Sequence, residues 1–232
     1  MINGASILEV ADLHAWYGES HVLHGMQFAV HRGELVTLLG RNGAGRTTTL
    51  RAILGLTGKR SGSILVRGRQ AITMATHSIA RLGIGYCPEE RGIFASLSTE
   101  ENLRLPPRIG PGGMSVEEIY GMFPNLHERR KSPGSRLSGG EQQMLALEPE
   151  LMLLDEPTQG MAHEDVGRVV GLIRKVASGR TILMVEHNLS VVEDLCDTIT
   201  VLQRGAVLAE GTYQEVSANP QVLEAYVGVA DE

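Results

Sequence analysis

Apolar residues along this chain keep two rhythms, and the change between them marks its architecture. In the first third they alternate, or form short runs closed by glycine turns, as strands do. Residues 6–11 read as a strand, followed by Trp16-Tyr17-Gly18, an aromatic pair ending in a turn. Residues 26–30 alternate and read as a second strand, and His31-Arg32-Gly33 turns the chain into the apolar run at 35–39. Residues 50–54 take helical spacing without a breaker, and residues 62–68 are a short strand between glycines. The pattern predicts a helix over 76–82, capped by Thr76 or Ser78, and a strand over 84–87 that ends at Pro88.

From Glu89 to about Arg136 the character turns helical. Glu101 follows Ser98 by three residues, a capping pair that opens a helix, and Pro106-Pro107 stops it. Gly110-Pro111-Gly112-Gly113 reads as a loop, and residues 115–122 as another short helix. The second half alternates cleanly. Residues 151–154, 181–185 and 198–202 are strand runs, and 205–209 is the hairpin partner of the last. Between them lie helices at 164–176, where Val166, Val169, Val170, Ile173 and Val176 share a face, and at 189–195; residues 222–227 predict a final short helix. Strands alternating with helices imply a parallel sheet covered on both faces, behind an antiparallel opening.

The bulk numbers narrow this. A chain of 232 residues with 42% hydrophobic content builds one large domain, or one with a small subdomain, and 4% aromatics leaves the packing to aliphatics. The net charge of −6 and the lack of a basic run argue against nucleic acid as the main partner. Cys87 and Cys196 fit no metal spacing and read as small buried hydrophobes in a reducing compartment. No signal peptide is expected, and no window reaches the ~18 apolar residues of a membrane span, so membrane association is expected through a partner.

The candidate chemistry centres on Gly40-Arg41-Asn42-Gly43-Ala44-Gly45-Arg46-Thr47-Thr48-Thr49, lying between a strand and a helix. That is the context of a phosphate-binding loop. Glycines let successive N–H groups turn inward at phosphate oxygens, and the helix start adds the positive end of its dipole. Thr47 stands where a hydroxyl ligates Mg²⁺. The motif calls for lysine where this chain has Arg46, which is cationic but longer, planar and forked. A second element, Leu151-Met152-Leu153-Leu154-Asp155-Glu156-Pro157, delivers two carboxylates at the C-terminal end of a buried strand, where open α/β sheets bind ligands. Asp155 is expected to hold Mg²⁺ through water, and Glu156 to polarise an attacking water. A third, Leu137-Ser138-Gly139-Gly140-Glu141-Gln142-Gln143, offers a hydroxyl and glycine N–H groups at a helix start, an anion site.

With three such motifs in this order, the chain resembles the ATP-binding subunits of ABC transporters over nearly its whole length. The resemblance implies an α/β fold: an ABC-type P-loop ATPase core with an N-terminal antiparallel β part and a small helical insertion. Residues 1–232 are then a single ABC ATPase domain, with the helical subdomain at about 90–136. ATP and Mg²⁺ are the implied cofactors. Residues 40–48, with Ser138, Gly139, Gly140 and Glu141 from a second ATPase subunit, identical or related, would enclose the nucleotide. Tyr17 matches the aromatic on which adenine stacks, His187 the switch histidine that reaches the γ-phosphate, and Thr158-Gln159-Gly160-Met161 the segment that meets the partner subunit. Glu89 stands where most of the family has a glutamine that links Mg²⁺ to the helical insertion and so to transmembrane permease subunits. Its glutamate, in Tyr86-Cys87-Pro88-Glu89-Glu90-Arg91-Gly92-Ile93-Phe94, and the stretch Phe123-Pro124-Asn125-Leu126-His127-Glu128-Arg129-Arg130, are similar to ATPases of branched-chain amino-acid importers and their urea-importer relatives. The implied place is cytoplasmic, peripheral on the inner face of the cell membrane through the permease, with no nucleic acid and no direct membrane span.

Two departures keep a second reading open. One is Arg46. The other lies between Met144 and Pro149, where about six residues of helix, about 9 Å, are missing relative to the family; Pro149 also forces the preceding residue out of helical geometry. An ATPase that energises a branched-chain amino-acid importer and a nucleotide-binding but catalytically impaired structural or regulatory subunit both fit at this point. A soluble ABC-type ATPase acting on DNA or ribosomes would carry two ATPase halves or a long coiled-coil insertion, and a GTPase an N-K-x-D motif; the chain has none of these.

Overall fold

In the computed structural model the described residues are 5–90, 94–105, 115–136, 150–161 and 163–227. The chain builds two sheets. The antiparallel one has the order β2-β1-β4-β5, from β1 (Ser6–Tyr17), β2 (Ser20–His31), β4 (Lys59–Val66) and β5 (Arg69–Gln70). The larger has the order β10-β9-β3-β8-β7-β6. Its strands are β3 (Leu35–Gly40), β6 (Ile84–Cys87), β7 (Leu151–Asp155), β8 (Thr181–Val185), β9 (Thr198–Gln203) and β10 (Ala206–Gly211). All pairings within it are parallel except β10, which folds back antiparallel on β9. Every residue of β3, β7 and β8 is buried, which is why these strands read as unbroken apolar runs.

Helices cover the larger sheet on both faces. They are α1 (Arg46–Ile53), α2 (Thr76–Ala80), α3 (Thr99–Arg104), α4 (Val116–Met122), α5 (Pro124–Glu128), α6 (His163–Ala177), α7 (Leu189–Leu195), α8 (Tyr213–Ser217) and α9 (Pro220–Val227). On one face Leu50 and Ile53 of α1 join Leu13, Leu23 and Met26 of the antiparallel sheet and Val36 and Leu38 of β3 in one core. On the other face Val169, Ile173 and Val176 of α6 pack with Met152, Leu154 and Met184. Leu103, Ile119 and Leu126 of the short helices, with Phe123 at the junction of α4 and α5, enter that second core, so the helical segment sits on the sheet.

Several expectations stand. The Ser98–Glu101 capping box is formed at α3, and a second, Ser115–Glu118, opens α4. Neither cysteine is in a disulfide; Cys87 is buried and Cys196 partly so, and burial pushes the Cys196 thiol up to about 12, as suits an inert small hydrophobe. Others are corrected. β1 runs on to Tyr17 rather than stopping near residue 11, because register shifts between Val10 and Ala15 keep Leu13 and Ala15 buried. The 76–82 helix spans Thr76–Ala80 and has no side-chain cap: Ala75 is its N-cap, and the Thr76 hydroxyl donates instead to the Gly55 carbonyl at 3.1 Å.

The shortened stretch lies outside the described residues, but the strand after it is in place. β7 pairs in register with β6 from Ile84↔Leu151 and with β8 from Leu151↔Thr181. Just before it, Glu150 accepts from both Arg32 and Arg67, which fixes where the chain re-enters the sheet. The sheet order therefore survives the shortening.

Candidate active site

The candidate groups meet where β3, β6, β7 and β8 end side by side, because parallel pairing brings their C-terminal ends to one edge. After Gly40 the chain turns through Gly43 and Gly45, with φ of +82° and +103°. A Cβ on Gly40 would lie 2.7 Å from the Leu202 carbonyl oxygen and 2.8 Å from Ala44 Cβ, so only glycine fits there. The Ala44 carbonyl accepts from Gly205 N–H at 3.0 Å, tying the loop to the β9–β10 turn. Arg41, Asn42 and Gly43 are exposed while Ala44, Gly45 and Arg46 are buried, so the loop opens outward over a packed base. The first amides of α1 have no carbonyl one turn back to bond, which leaves them for an anion.

Beneath the loop lies a buried chain of hydrogen bonds. Thr47 Oγ1 donates to Asp155 Oδ1 at 2.9 Å, and Tyr86 Oη donates to Asp155 Oδ2 at 3.0 Å. Burial raises the Asp155 carboxyl above its ordinary value, while the bonds from Thr47 and Tyr86 pull it back. Burial first, and then the Asp155 charge, raises the Tyr86 phenol, which keeps it a proton donor. Arg51 of α1 lies 3.8 Å from Glu90 Oε1, and the neighbouring hydroxyls of Tyr86 and then Tyr17 raise its guanidinium above the ordinary value. Tyr17 itself is exposed.

Glu156 follows β7 at φ +47°, the left-handed region that strains a non-glycine residue. Its Oε1 lies 3.1 Å from Arg46 Nη2 and its Oε2 lies 3.4 Å from His187 Nδ1. Arg46 Nη2 also donates to Asn42 Oδ1 at 3.3 Å, while Nη1 is buried without a partner among the described residues. His187 is half-exposed, whereas Glu186 before it is fully buried and accepts three hydrogen bonds: Thr158 Oγ1 at 2.6 Å, His187 N–H at 2.8 Å and Asn188 N–H at 3.0 Å.

The structure therefore brings Arg46, Thr47, Asp155, Glu156 and His187 together on residues far apart in the chain. It does not bring Glu89 with them. Glu89 is exposed on the turn after β6, and it has no polar contact among the described residues; the neighbouring Glu90 is the one that faces Arg51. Ser138, Gly139, Gly140 and Glu141 lie outside the described residues. Sequence reasoning missed Arg51, Tyr86 and Glu186. Only Glu186 had a usable signal, a lone acid at the end of the apolar run at 181–185.

Residues 23–159 match the family described as ABC transporter. The chain belongs to that family. Over 229 residues this ABC subunit is 34% identical to the high-affinity branched-chain amino acid transport ATP-binding protein BraG of Pseudomonas aeruginosa, covering 92% of this chain and 96% of that protein. It is 32% identical to the lipopolysaccharide export system ATP-binding protein LptB of Acidithiobacillus ferridurans, covering 97% of this chain and 98% of the relative. With the methionine import ATP-binding protein MetN of Brucella abortus it shares 29%, over 94% of this chain and 63% of that protein. Residues 206–232 match the family described as branched-chain amino acid ATP-binding cassette transporter. A solved ATP-binding subunit of an ABC transporter superposes with a TM-score of 0.76 at 31% identity, covering 91% of this chain and 92% of that one. ABC ATP-binding subunits are ATPases, and the fold agrees with that family. Among the described residues no helix is long and apolar enough to cross a membrane.

Proposed function

We propose that this ABC subunit binds ATP with Mg²⁺ at the α1 loop, hydrolyses it, and drives an importer of branched-chain amino acids. The observation that carries the hydrolytic part is the convergence of Thr47, Asp155, Glu156 and His187 on adjoining strand ends. The residues present fit both groups. A buried unpartnered guanidinium nitrogen and a glycine-only turn suit a phosphate chain, and the Thr47 hydroxyl beside the Asp155 carboxylate supplies the oxygen donors that Mg²⁺ prefers. When bound, these bring the phosphoanhydride bond and neutralise its developing charge. The protein's own part is positioning. Residues 40–48 hold the phosphates, Thr47 and Asp155 orient the metal's shell, Glu156 aligns the attacking water, and His187 contacts the terminal phosphate.

In this reading residues 1–232 are one ABC ATPase domain with the helical insertion at about 90–136. Tyr17 stacks on adenine, Ser138, Gly139, Gly140 and Glu141 cap the nucleotide of a second subunit, and Glu89 links the site to permease subunits at the cytoplasmic face of the membrane. The cargo rests on the match at 206–232 and on the likeness to BraG. The second reading, a subunit with weak turnover, draws on Arg46, whose Nη2 is engaged with Glu156.

Mg²⁺-dependent ATP hydrolysis by the purified chain, wild type beside Glu156→Gln, tests the first part. Turnover is expected in the wild type and a loss of roughly a hundredfold or more in the variant; wild-type chain that binds ATP without turning it over favours the weak subunit. Uptake of leucine into vesicles holding the chain with its permease, competed by valine and isoleucine but not by methionine, tests the cargo.

A further inference from the structure

We infer that Arg46 is a positioning residue for Glu156 as well as a phosphate ligand: one arm of its guanidinium holds the carboxylate while the other takes a phosphate oxygen. The inference rests on the ATPase reading of the site and adds to Arg46 a second role, directed at the base.

The geometry carries it. The Arg46 side chain is 7% exposed and Glu156 11%, so the pair is drawn out of water, where a charged contact needs good geometry to persist. Nη2 lies 3.1 Å from Glu156 Oε1 and 3.3 Å from Asn42 Oδ1, which fixes the plane of the guanidinium between the loop and the β7 end. Nη1 on the same plane is buried with no partner among the described residues, an expensive state for a donor unless a ligand completes it. Because α1 begins at Arg46, a phosphate seated on the α1 amides is within this arm's reach. Glu156 is meanwhile held at Oε2 by His187 and by a strained backbone, so Arg46 supplies the second point that sets its carboxylate plane. A lysine ammonium is a single head and cannot span both partners with a fixed spacing; the planar fork of arginine can. The departure from the usual motif is then matched to this chain's own Glu156.

The test is a double-mutant cycle with Arg46→Lys, Glu156→Gln and the pair, read in two ways. In thermal unfolding of the nucleotide-free chain, the two substitutions are expected to couple, the double variant losing less than the sum of the singles; additive losses overturn the arginine-specific hold on Glu156. In MgATP titration and hydrolysis, Arg46→Lys is expected to keep affinity within about threefold while kcat falls roughly tenfold or more, because the charge stays and the base loses its second anchor. Equal or higher kcat in Arg46→Lys, which restores the usual lysine, overturns the positioning role. A wild type without turnover overturns the hydrolytic reading and the positioning role together, and coupling in the unfolding cycle then shows that the pair itself stands.

Discussion

The floor of the site and its rim are built on opposite principles. On the floor, Asp155 is 1% exposed and both its oxygens are engaged, by Thr47 and Tyr86; Glu186 is wholly buried with three donors around it. On the rim, Tyr17 is 40% exposed, His187 53%, and Glu89 stands in solvent. Glu186 and His187 are sequence neighbours that fall on either side of this division. The difference teaches where each function resides. Groups that hold charge in a fixed place are preorganised by the fold of one subunit, because a buried carboxylate is tolerable only when its hydrogen bonds are complete. In the proposed reading Tyr17, His187 and Glu89 meet a ligand or another chain, and keeping them open costs the fold nothing.

The largest expected effect that sharpens this contrast is on Glu186. Glu186→Ala leaves the Thr158 hydroxyl and two backbone donors without their acceptor, and is expected to lower stability by about 3 kcal/mol in urea unfolding. His187→Ala, one residue on, is expected to change it by less than about 0.5 kcal/mol. Equal losses at the two positions would break the division between floor and rim.

A smaller effect is expected of Tyr86→Phe, about 1–2 kcal/mol, since Asp155 Oδ2 loses its donor inside the protein. The pH dependence gives this a sign. Burial raises the Asp155 carboxyl in the fold, so the folded state keeps a proton that the unfolded chain has released, and the contribution of this group falls as pH rises through that window. The Tyr86 hydroxyl is one of the bonds that limits the rise. Its removal should therefore cost more in neutral than in acidic buffer, which urea midpoints at the two conditions measure. A loss independent of pH would show that Tyr86 acts by packing alone.

The smallest effect lies in the helical segment. Ser98→Ala removes one half of the α3 capping box and is expected to cost about 1 kcal/mol. The Glu101 carboxyl, lowered first by its hydrogen bond from the Ser98 side chain, contributes stability above its unfolded value that is lost as pH falls through its folded one. Acid titration of the wild type beside Ser98→Ala should show that step reduced in the variant, where the backbone N–H at position 98 still donates to Glu101.

Much of this was legible before any coordinates. The apolar runs at 35–39, 151–154 and 181–185 are buried strands because both faces of a parallel sheet are covered, and continuous hydrophobicity is the only pattern that satisfies two covers. The glycine turn into α1, the carboxylates after β7 and the Ser98–Glu101 cap were visible for a related reason: each is a local arrangement whose partners lie within a few residues. The misses share the opposite property. β1 outran its pattern because irregular register with β2 and β4 keeps its alternating face inward, and α2 lost its expected cap because Thr76 found Gly55 across a turn.

The sequence by itself therefore determined the order of the elements, the family they compose and most of the residue types at the site, since these follow from periodicity and from motifs read along the chain. Only the tertiary structure decided which of those residues touch. Setting β7 between β6 and β8 gives Asp155 the Tyr86 hydroxyl on one side and places Glu156 against His187 on the other, and the turn from β3 into α1 lays Arg46 over Glu156. Contacts between side chains on different elements depend on sheet order and register, and no local stretch of sequence encodes either.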